Sequence, residues 1–377
     1  MLKRIEFGEL RIGDIARKHI QDCIDNNWIS MGPKVALLEQ KFAQIMQTKY
    51  AVAMCSGTAA LTAMTLALPE IAPKPVIRGK SKVLCPALGF IANSTAIVSG
   101  GLIPKWVDVR PDNLNIDDSK VKAAIDDDVV AIYSIGTMGQ PADNPALSRI
   151  ANENDLILFE DACENYGSKR NGYMSHKCCI GGCASMFTAH LIQSGEMGML
   201  YLDDDRLYEL ILSIRSHGRS GNSAYFDHIR FGSNFKTTDL CASIGLEGVE
   251  QFYQNIAERK KIWQDLVNFS NKYHMHAWFS HEEFNTEAMP HGFSITIKPA
   301  SKFNINNLKK IFDKYNIHWK RNFGFCGHHP ALAAYNDGRR FPHAVWCGNN
   351  GIHIGTHRFM TEENVDRIKT AIGEFFD

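Results

Sequence analysis

Nowhere in these 377 residues does an apolar run approach the ~20 needed to cross a bilayer. The opening MLKRIEFGELRIGD lacks the apolar core of a secretory signal. Charge of one sign is missing too: 41 basic residues face 41 acidic ones. No global field therefore favours nucleic acid or an anionic membrane, and neither is expected as a partner. Ten cysteines are present but scattered, without the spacing of a small disulfide framework. That usage suggests reduced thiols and a cytoplasmic location. Internal repeats, low-complexity tracts and disordered linkers are absent as well. What is there is ordinary for a globular chain: 45% hydrophobic and 22% charged residues. The length suffices for a large domain plus a smaller one.

Short apolar runs alternate with helical patterns through the first two thirds. YAVAMC (50–55), KVLCPA (82–87), IPKWVDV (103–109), VVAIYSI (129–135), LILFED (156–161), CASMF (183–187) and GMLYL (198–202) read as strands. Several are apolar throughout, as strands covered on both faces are. Residues 32–46 and 58–68 carry helical periodicity. The alternation predicts an α/β layered fold with a mixed or mostly parallel sheet. One long amphipathic helix is expected over 245–273, then a strand at 292–299, a helix at 304–317 and a closing helix in NVDRIKTAIGEFF. This change of character puts a boundary near residue 250, giving a large domain (1–250) and a small α+β domain (251–377).

Several residues sit where chemistry is usually done. In CSGTAALTAM, a strand ends and Ser56, Gly57 and Thr58 lead into a helix, whose free N–H groups attract phosphate. A plain helix cap would look the same. Asp161 closes an apolar strand, where α/β folds hold ligands and where a carboxylate can keep a pyridinium protonated. It could equally cap the next element, and Glu160 and Glu164 could be solvated. Phe90 follows another strand end and could stack on a planar cofactor or join the core. Asn234 lies in a turn before a helix.

The order of these pieces is more specific than any one of them. Phosphate turn, aromatic, strand-end aspartate, then Ser185 and H-x-x-x-x-G-E-x-G from His190 to Gly198 resemble the sugar aminotransferases of the DegT/DnrJ/EryC1/StrS family. WISMGPKVALLEQKFA (28–43), WVDVRPDNLNID (106–117), IRSHGRS (214–220) and IHIGTHRFMTEENVDRI (352–368) extend that resemblance over nearly the whole chain. It implies a fold type I pyridoxal 5′-phosphate enzyme, aspartate aminotransferase-like, with a three-layer large domain. It also implies a homodimer whose active sites are shared between subunits. By the same resemblance, Gly57, Thr58 and Ser185 match the phosphate-binding positions, Phe90 the ring-stacking aromatic and Asp161 the partner of the pyridine nitrogen. Glu164 goes with this cofactor set, and Asn234 matches the residue reaching the phosphate from the other subunit. His217 and Arg219 are expected at the substrate. Either Lys320 or Arg321 stands in for the arginine of the family's sugar loop.

The notable absence is a lysine. Where the family's aminotransferases carry the lysine that forms the internal Schiff base, this chain has His190. Lysine is an amine nucleophile and a proton carrier. Imidazole retains the proton chemistry and loses the covalent anchor. A shifted register would need Lys169, Lys177 or Lys236, and none precedes G-E-x-G at the right spacing. EDACENYGS (160–168) also resembles the family's nucleotide-sugar 3-dehydratases, which share the histidine. Their iron–sulfur kind has a Cys-x-Cys after H-G-R, whereas residues 217–236 hold no cysteine. His176, Cys178, Cys179 and Cys183 do not have the spacing of a standard zinc or cluster site, and no metal is expected. The resemblance thus implies pyridoxamine 5′-phosphate made with L-glutamate as amino donor, and a nucleotide-linked 4-keto-6-deoxyhexose as substrate. His190 would serve as acid and base in loss of the C3 hydroxyl. The alternatives are an aminotransferase making an amino sugar and a non-catalytic homologue.

Overall fold

The computed structural model describes residues 3–221 and 227–377, so residues 222–226 of the segment after H-G-R lie outside the described residues. Strands β1 (Tyr50–Met54), β2 (Lys82–Pro86), β3 (Ile103–Val107), β4 (Val129–Ile135) and β5 (Ile157–Asp161) come first. A small hairpin, β6 (Lys169–Arg170) and β7 (Tyr173–Met174), precedes β8 (Gly181–Ser185) and β9 (Gly198–Leu202). Among the described residues, seven of these strands form one sheet in the order β1-β9-β8-β5-β4-β2-β3. β9 is antiparallel to both its neighbours, while the pairings from β8 to β3 are parallel.

Alternation along each strand builds the two covered faces. In β1, Val52 and Met54 join a core with α3 (Gly57–Ile71), α4 (Ala92–Ser99) and α7 (Asp205–Arg215). Ala51 and Ala53 point the other way, to α2 (Pro33–Met46) and α8 (Asp239–Glu250). Farther along that second face, Leu84, Ile132 and Leu158 meet α5 (Asp118–Ala124) and α6 (Asn144–Glu153). α1 (Asp14–Asp25) is tied to α8, whose Glu247 accepts from the Gly13 and Ala16 amides at 2.9 and 3.2 Å. β4 is buried at every residue, which is why its sequence is apolar without alternation.

The C-terminal third builds a four-stranded antiparallel sheet, β10 (Ala277–Phe279), β12 (Gly292–Ile297), β14 (Gly351–Gly355) and β13 (Trp319–Arg321), in that order. Leu266 of α9 (Phe252–Ser270), Phe312 of α10 (Ile305–Lys314) and Ile372 of α12 (Glu362–Phe376) share its core with Phe293, Ile295 and Ile354. β11 (Thr286–Glu287) adds a strand to the β6–β7 hairpin. Two stretches cross between the cores. Ile5 packs into the C-terminal one and pairs with Ile317, while Ala344 and Cys347 of α11 (Pro342–Asn350) pack against the large sheet.

Two elements differ from the sequence reading. The helix expected over 245–273 is broken at Gln251 (φ −95°, ψ 7°) and begins earlier, with Thr238 capping the Cys241 amide. Phe252 and Ile256 serve the large domain's core, whereas Trp263 and Leu266 serve the C-terminal one. The change of core falls within α9 itself, between Ile256 and Trp263, and not at the break. β8 begins at Gly181, two residues before the expected CASMF strand and two residues short of its end. Gly181 and Gly182 signal a turn by composition, but a Cβ on Gly182 would lie 2.6 Å from the Tyr201 hydroxyl.

Candidate active site

The C-terminal ends of the parallel strands converge on one edge, the usual ligand side of such sheets. β1 runs into Ser56, whose hydroxyl accepts from the Ala59 amide at 3.0 Å and caps α3. Gly57 follows, so close to its neighbours that a Cβ would come within 2.8 Å of the Cys163 sulfur and 3.1 Å of the Ser185 Cβ. Register completes the turn: Ser185 ends β8 opposite Gly198, and Gly198 lies opposite Met54. A Cβ on Gly198 would sit 2.3 Å from the Ser56 carbonyl carbon and 2.4 Å from the Gly57 nitrogen. Gly57, Ser185 and an exposed Thr58 thus frame the positive end of a 15-residue helix.

Asp161 is the last residue of β5 and is buried. Its carboxylate accepts from Asn93 Nδ2 and from the Cys163 amide, both at 3.2 Å, with the Cys183 thiol 3.6 Å away. Asp161, Cys163 and Cys183 also bring potential metal ligands within 4.8 Å of one another. Burial pushes the Cys183 thiol up to about 11, and Cys163 is raised by its bond to Cys183 and by burial. The pair therefore stays protonated beside the Asp161 carboxylate, with the Cys183 thiol directed at it. Phe90, just past β2, is 62% exposed, with only an edge contact to Phe323 at 6.5 Å. An aromatic left open, a fixed carboxylate and a helix N-terminus ringed by hydroxyls fit a planar, phosphorylated pyridine. The Gly57 and Gly198 contacts keep side chains out of that cradle.

His190 lies in the turn after β8, its amide donating to the Phe187 carbonyl at 2.9 Å. Its ring stacks on His291 with centroids 4.7 Å apart and planes at 28°. Burial pushes its pKa down to about 3; a backbone bond at Cys163 opposes this, and the charges of Arg259 and Lys320 add to it. The ring is neutral at pH 7 and Nδ1 has no partner, so it is available as a base. Glu164, also buried, accepts from the Met138 amide at 2.7 Å. Burial raises its carboxyl to about 7, Asp161 adds to the rise, and Lys320 works against it. Lys320 runs across the Phe7 ring, 4.1 Å from its centroid, and its own pKa is lowered by burial.

Of the two basic candidates in the sugar loop, Lys320 therefore faces the cleft. Arg321 turns away, donating to the Gly348 carbonyl and to Asn349. Nor does one chain bring His217 and Arg219 to His190. They belong to an exposed region with Lys236 and His228, beside an open groove lined by Arg215, Arg219 and Arg230. Asn234 is exposed next to it, bridged to Ser216. Lys169 and Lys177 are spent on Glu287 and Asp203, and Lys236 lies among arginines. His176 packs on Tyr201, and burial lowers its pKa to about 4. Sequence reasoning missed Asn93, His291 and Arg259. Asn93 carried a signal, standing three residues beyond the candidate aromatic.

The described residues contain no helix long and apolar enough to cross a membrane. The profile of the DegT/DnrJ/EryC1/StrS aminotransferase family matches residues 11–373. A GDP-4-keto-6-deoxy-D-mannose 3-dehydratase of Yersinia pseudotuberculosis is 27% identical, with 93% of each chain covered. A GDP-perosamine synthase of Caulobacter vibrioides is 29% identical over 99% of this chain and 98% of its own. Among solved structures, the E. coli GDP-4-keto-6-deoxy-D-mannose-3-dehydratase with bound hydrated PLP superposes with a TM-score of 0.89. It is 25% identical, and the match covers 98% of this chain and 99% of that one. The fold is that of the fold type I pyridoxal-phosphate enzymes.

Proposed function

This chain belongs to the DegT/DnrJ/EryC1/StrS aminotransferase family, and we propose that it removes the C3 hydroxyl of a nucleotide-linked 4-keto-6-deoxyhexose. GDP-4-keto-6-deoxymannose is the first substrate to try, with dTDP and CDP sugars next. The observation that carries this reading is His190: an imidazole stands where the family's aminotransferases have the Schiff-base lysine. Similarity to two GDP-4-keto-6-deoxymannose 3-dehydratases supports it. Similarity to a GDP-perosamine synthase favours a second reading, transamination of the same kind of sugar.

The chemistry that bound pyridoxamine 5′-phosphate supplies here is an amine for the keto carbon and an electron-accepting ring. Gly57, Thr58 and Ser185 would hold its phosphate, and Phe90 would cover one face of its ring. Asp161, oriented by Asn93 and the Cys163 amide, keeps the pyridine nitrogen protonated. Asn234 reaches the phosphate of the partner in a homodimer. His190, neutral at pH 7, would carry the proton taken from cofactor C4′ and returned to the departing C3 oxygen. Lys320 would orient the sugar, with Glu164 beside it in the cofactor set. Phe7 and His291 exclude water from behind the imidazole.

The test is incubation of purified protein, pyridoxal phosphate and L-glutamate with GDP-4-keto-6-deoxymannose, read by mass spectrometry. Loss of the C3 hydroxyl with ammonia release, abolished in His190→Asn, is the expected result. An amino sugar with its C3 hydroxyl intact makes the chain a transaminase. Silence across a panel of nucleotide sugars makes it a non-catalytic member. Mixing His190→Asn with Asn234→Ala chains should restore part of the activity if sites are shared between two copies.

A further inference from the structure

Behind the stacked imidazoles lies a group that the proposed chemistry does not use. Arg259, on α9, is only 2% exposed, and among the described residues it pairs with no carboxylate. A buried guanidinium without a counterion is costly and must be held by neutral acceptors. Three are present. Nη2 donates to the His190 carbonyl at 3.0 Å, Nη1 to the Pro290 carbonyl at 3.3 Å and Nε to Asn255 Oδ1 at 3.2 Å. Asn255 lies one helical turn earlier and donates through Nδ2 to the carbonyl of Leu191.

Arg259 and Asn255 thus grip residues 190 and 191 on one side and the residue before His291 on the other. Both imidazoles are carried on loops, and their 4.7 Å stacking depends on how those loops meet. The His190 ring meets one backbone group, that of Cys163, and its Nδ1 is unpartnered. We infer that Arg259 is the positioning residue of His190, clasping the two histidine-bearing loops so that the His190 ring is stacked on His291 and aimed into the cleft. This inference rests on His190 being the proton carrier, but the clasp itself can be read without turnover.

The test uses full-length holoenzyme in three forms, wild type, Arg259→Met and Arg259→Lys, with two readouts. The first is NMR titration of histidine labelled at Cε1, with His190 assigned by His190→Asn. The groups facing the His190 ring are Arg259 from α9, Lys320 from β13, His291 from the loop before β12 and the Cys163 backbone after β5. In wild type, His190 should titrate below the ordinary imidazole range. In Arg259→Met its midpoint should rise by about one pH unit or more, as a cation is lost and water reaches a loosened ring. The second readout is turnover of the nucleotide sugar. kcat should fall by about 10²-fold with KM within about twofold, because the proton carrier moves while the sugar's own contacts stay. Arg259→Lys should recover part of both.

An unchanged titration and unchanged kcat in Arg259→Met overturn the inference. If that variant does not fold, Asn255→Ala takes its place. It removes two of the clasp's bonds and leaves the guanidinium, so a smaller shift in the same direction supports the clasp and none overturns it. If wild type turns over no sugar but the titration still moves, the clasp stands and the dehydratase reading falls. If turnover is present and the titration does not move, the clasp alone falls.

Discussion

A histidine at 190 changes how firmly a cofactor is owned. An amine at this position would bond to pyridoxal phosphate; with an imidazole there, the proposed phosphate, ring and Asp161 contacts would have to hold it alone. Dialysis should therefore strip the cofactor from wild type. His190→Lys should retain it after borohydride reduction, with a matching gain in protein mass. A wild-type chain that keeps its cofactor after reduction and unfolding would show that another amine, with Lys320 foremost, has taken the role. Legibility in the sequence varied residue by residue. Gly57, Asp161 and Ser185 were readable because each follows or ends a strand, and strand ends are visible in apolar periodicity. Asn93 and Arg259 act on partners 68 and 69 residues away in sequence, and His291 meets His190 across a loop. No local spacing encodes such contacts.

At the scale of elements, the strand pairing does the positioning. β9 runs against its neighbours and delivers Gly198 between the ends of β1 and β8. A methyl group there would strike backbone atoms of Ser56 and Gly57, which cannot rotate away. Gly198→Ala should lower stability by about 1–3 kcal/mol and weaken pyridoxal phosphate binding more than a core substitution of equal cost. Titrating cofactor into variants matched for melting temperature checks this, and equal affinities would count against the phosphate turn. All seven strands of the large sheet could be read from sequence, five of them with shifted ends, since each is a short apolar run. The break at Gln251 could not, because helical periodicity persists through it and the same core is served on both sides.

For the whole molecule, five histidines are held neutral, four of them buried and His190 half-buried. Burial lowers His176 and His357 to about 4 and His190 and His353 to about 3, and it lowers His291 well below its ordinary value. The unfolded chain protonates these rings below about pH 6.5, and the folded chain does not. Each therefore contributes stability that is complete above 6.5 and is lost as pH falls towards its folded value, by up to about 1.4 kcal/mol per pH unit. Burial raises the carboxyls of Glu160 and Glu164, which act in the opposite sense, Glu164 gaining stability as pH falls from about 7. Five rings outweigh two carboxyls. The melting temperature of cofactor-free protein should drop steeply between pH 6.5 and 5; a flat profile would mean these rings are wetter than their packing implies.

The crossing of the chain's first residues into its last sheet also has a consequence in time. Ile5 pairs with Ile317, Phe7 packs edge-on against His291 and His353, and a Cβ on Gly355 would strike the Phe7 carbonyl. Residues 5–7 thus find their places only after residues 291–355 have been made. While the ribosome is still reading the small sheet, the cradle beside His190 has no back wall. Completion of this wall must therefore wait on contacts between segments far apart in sequence, which form slowly.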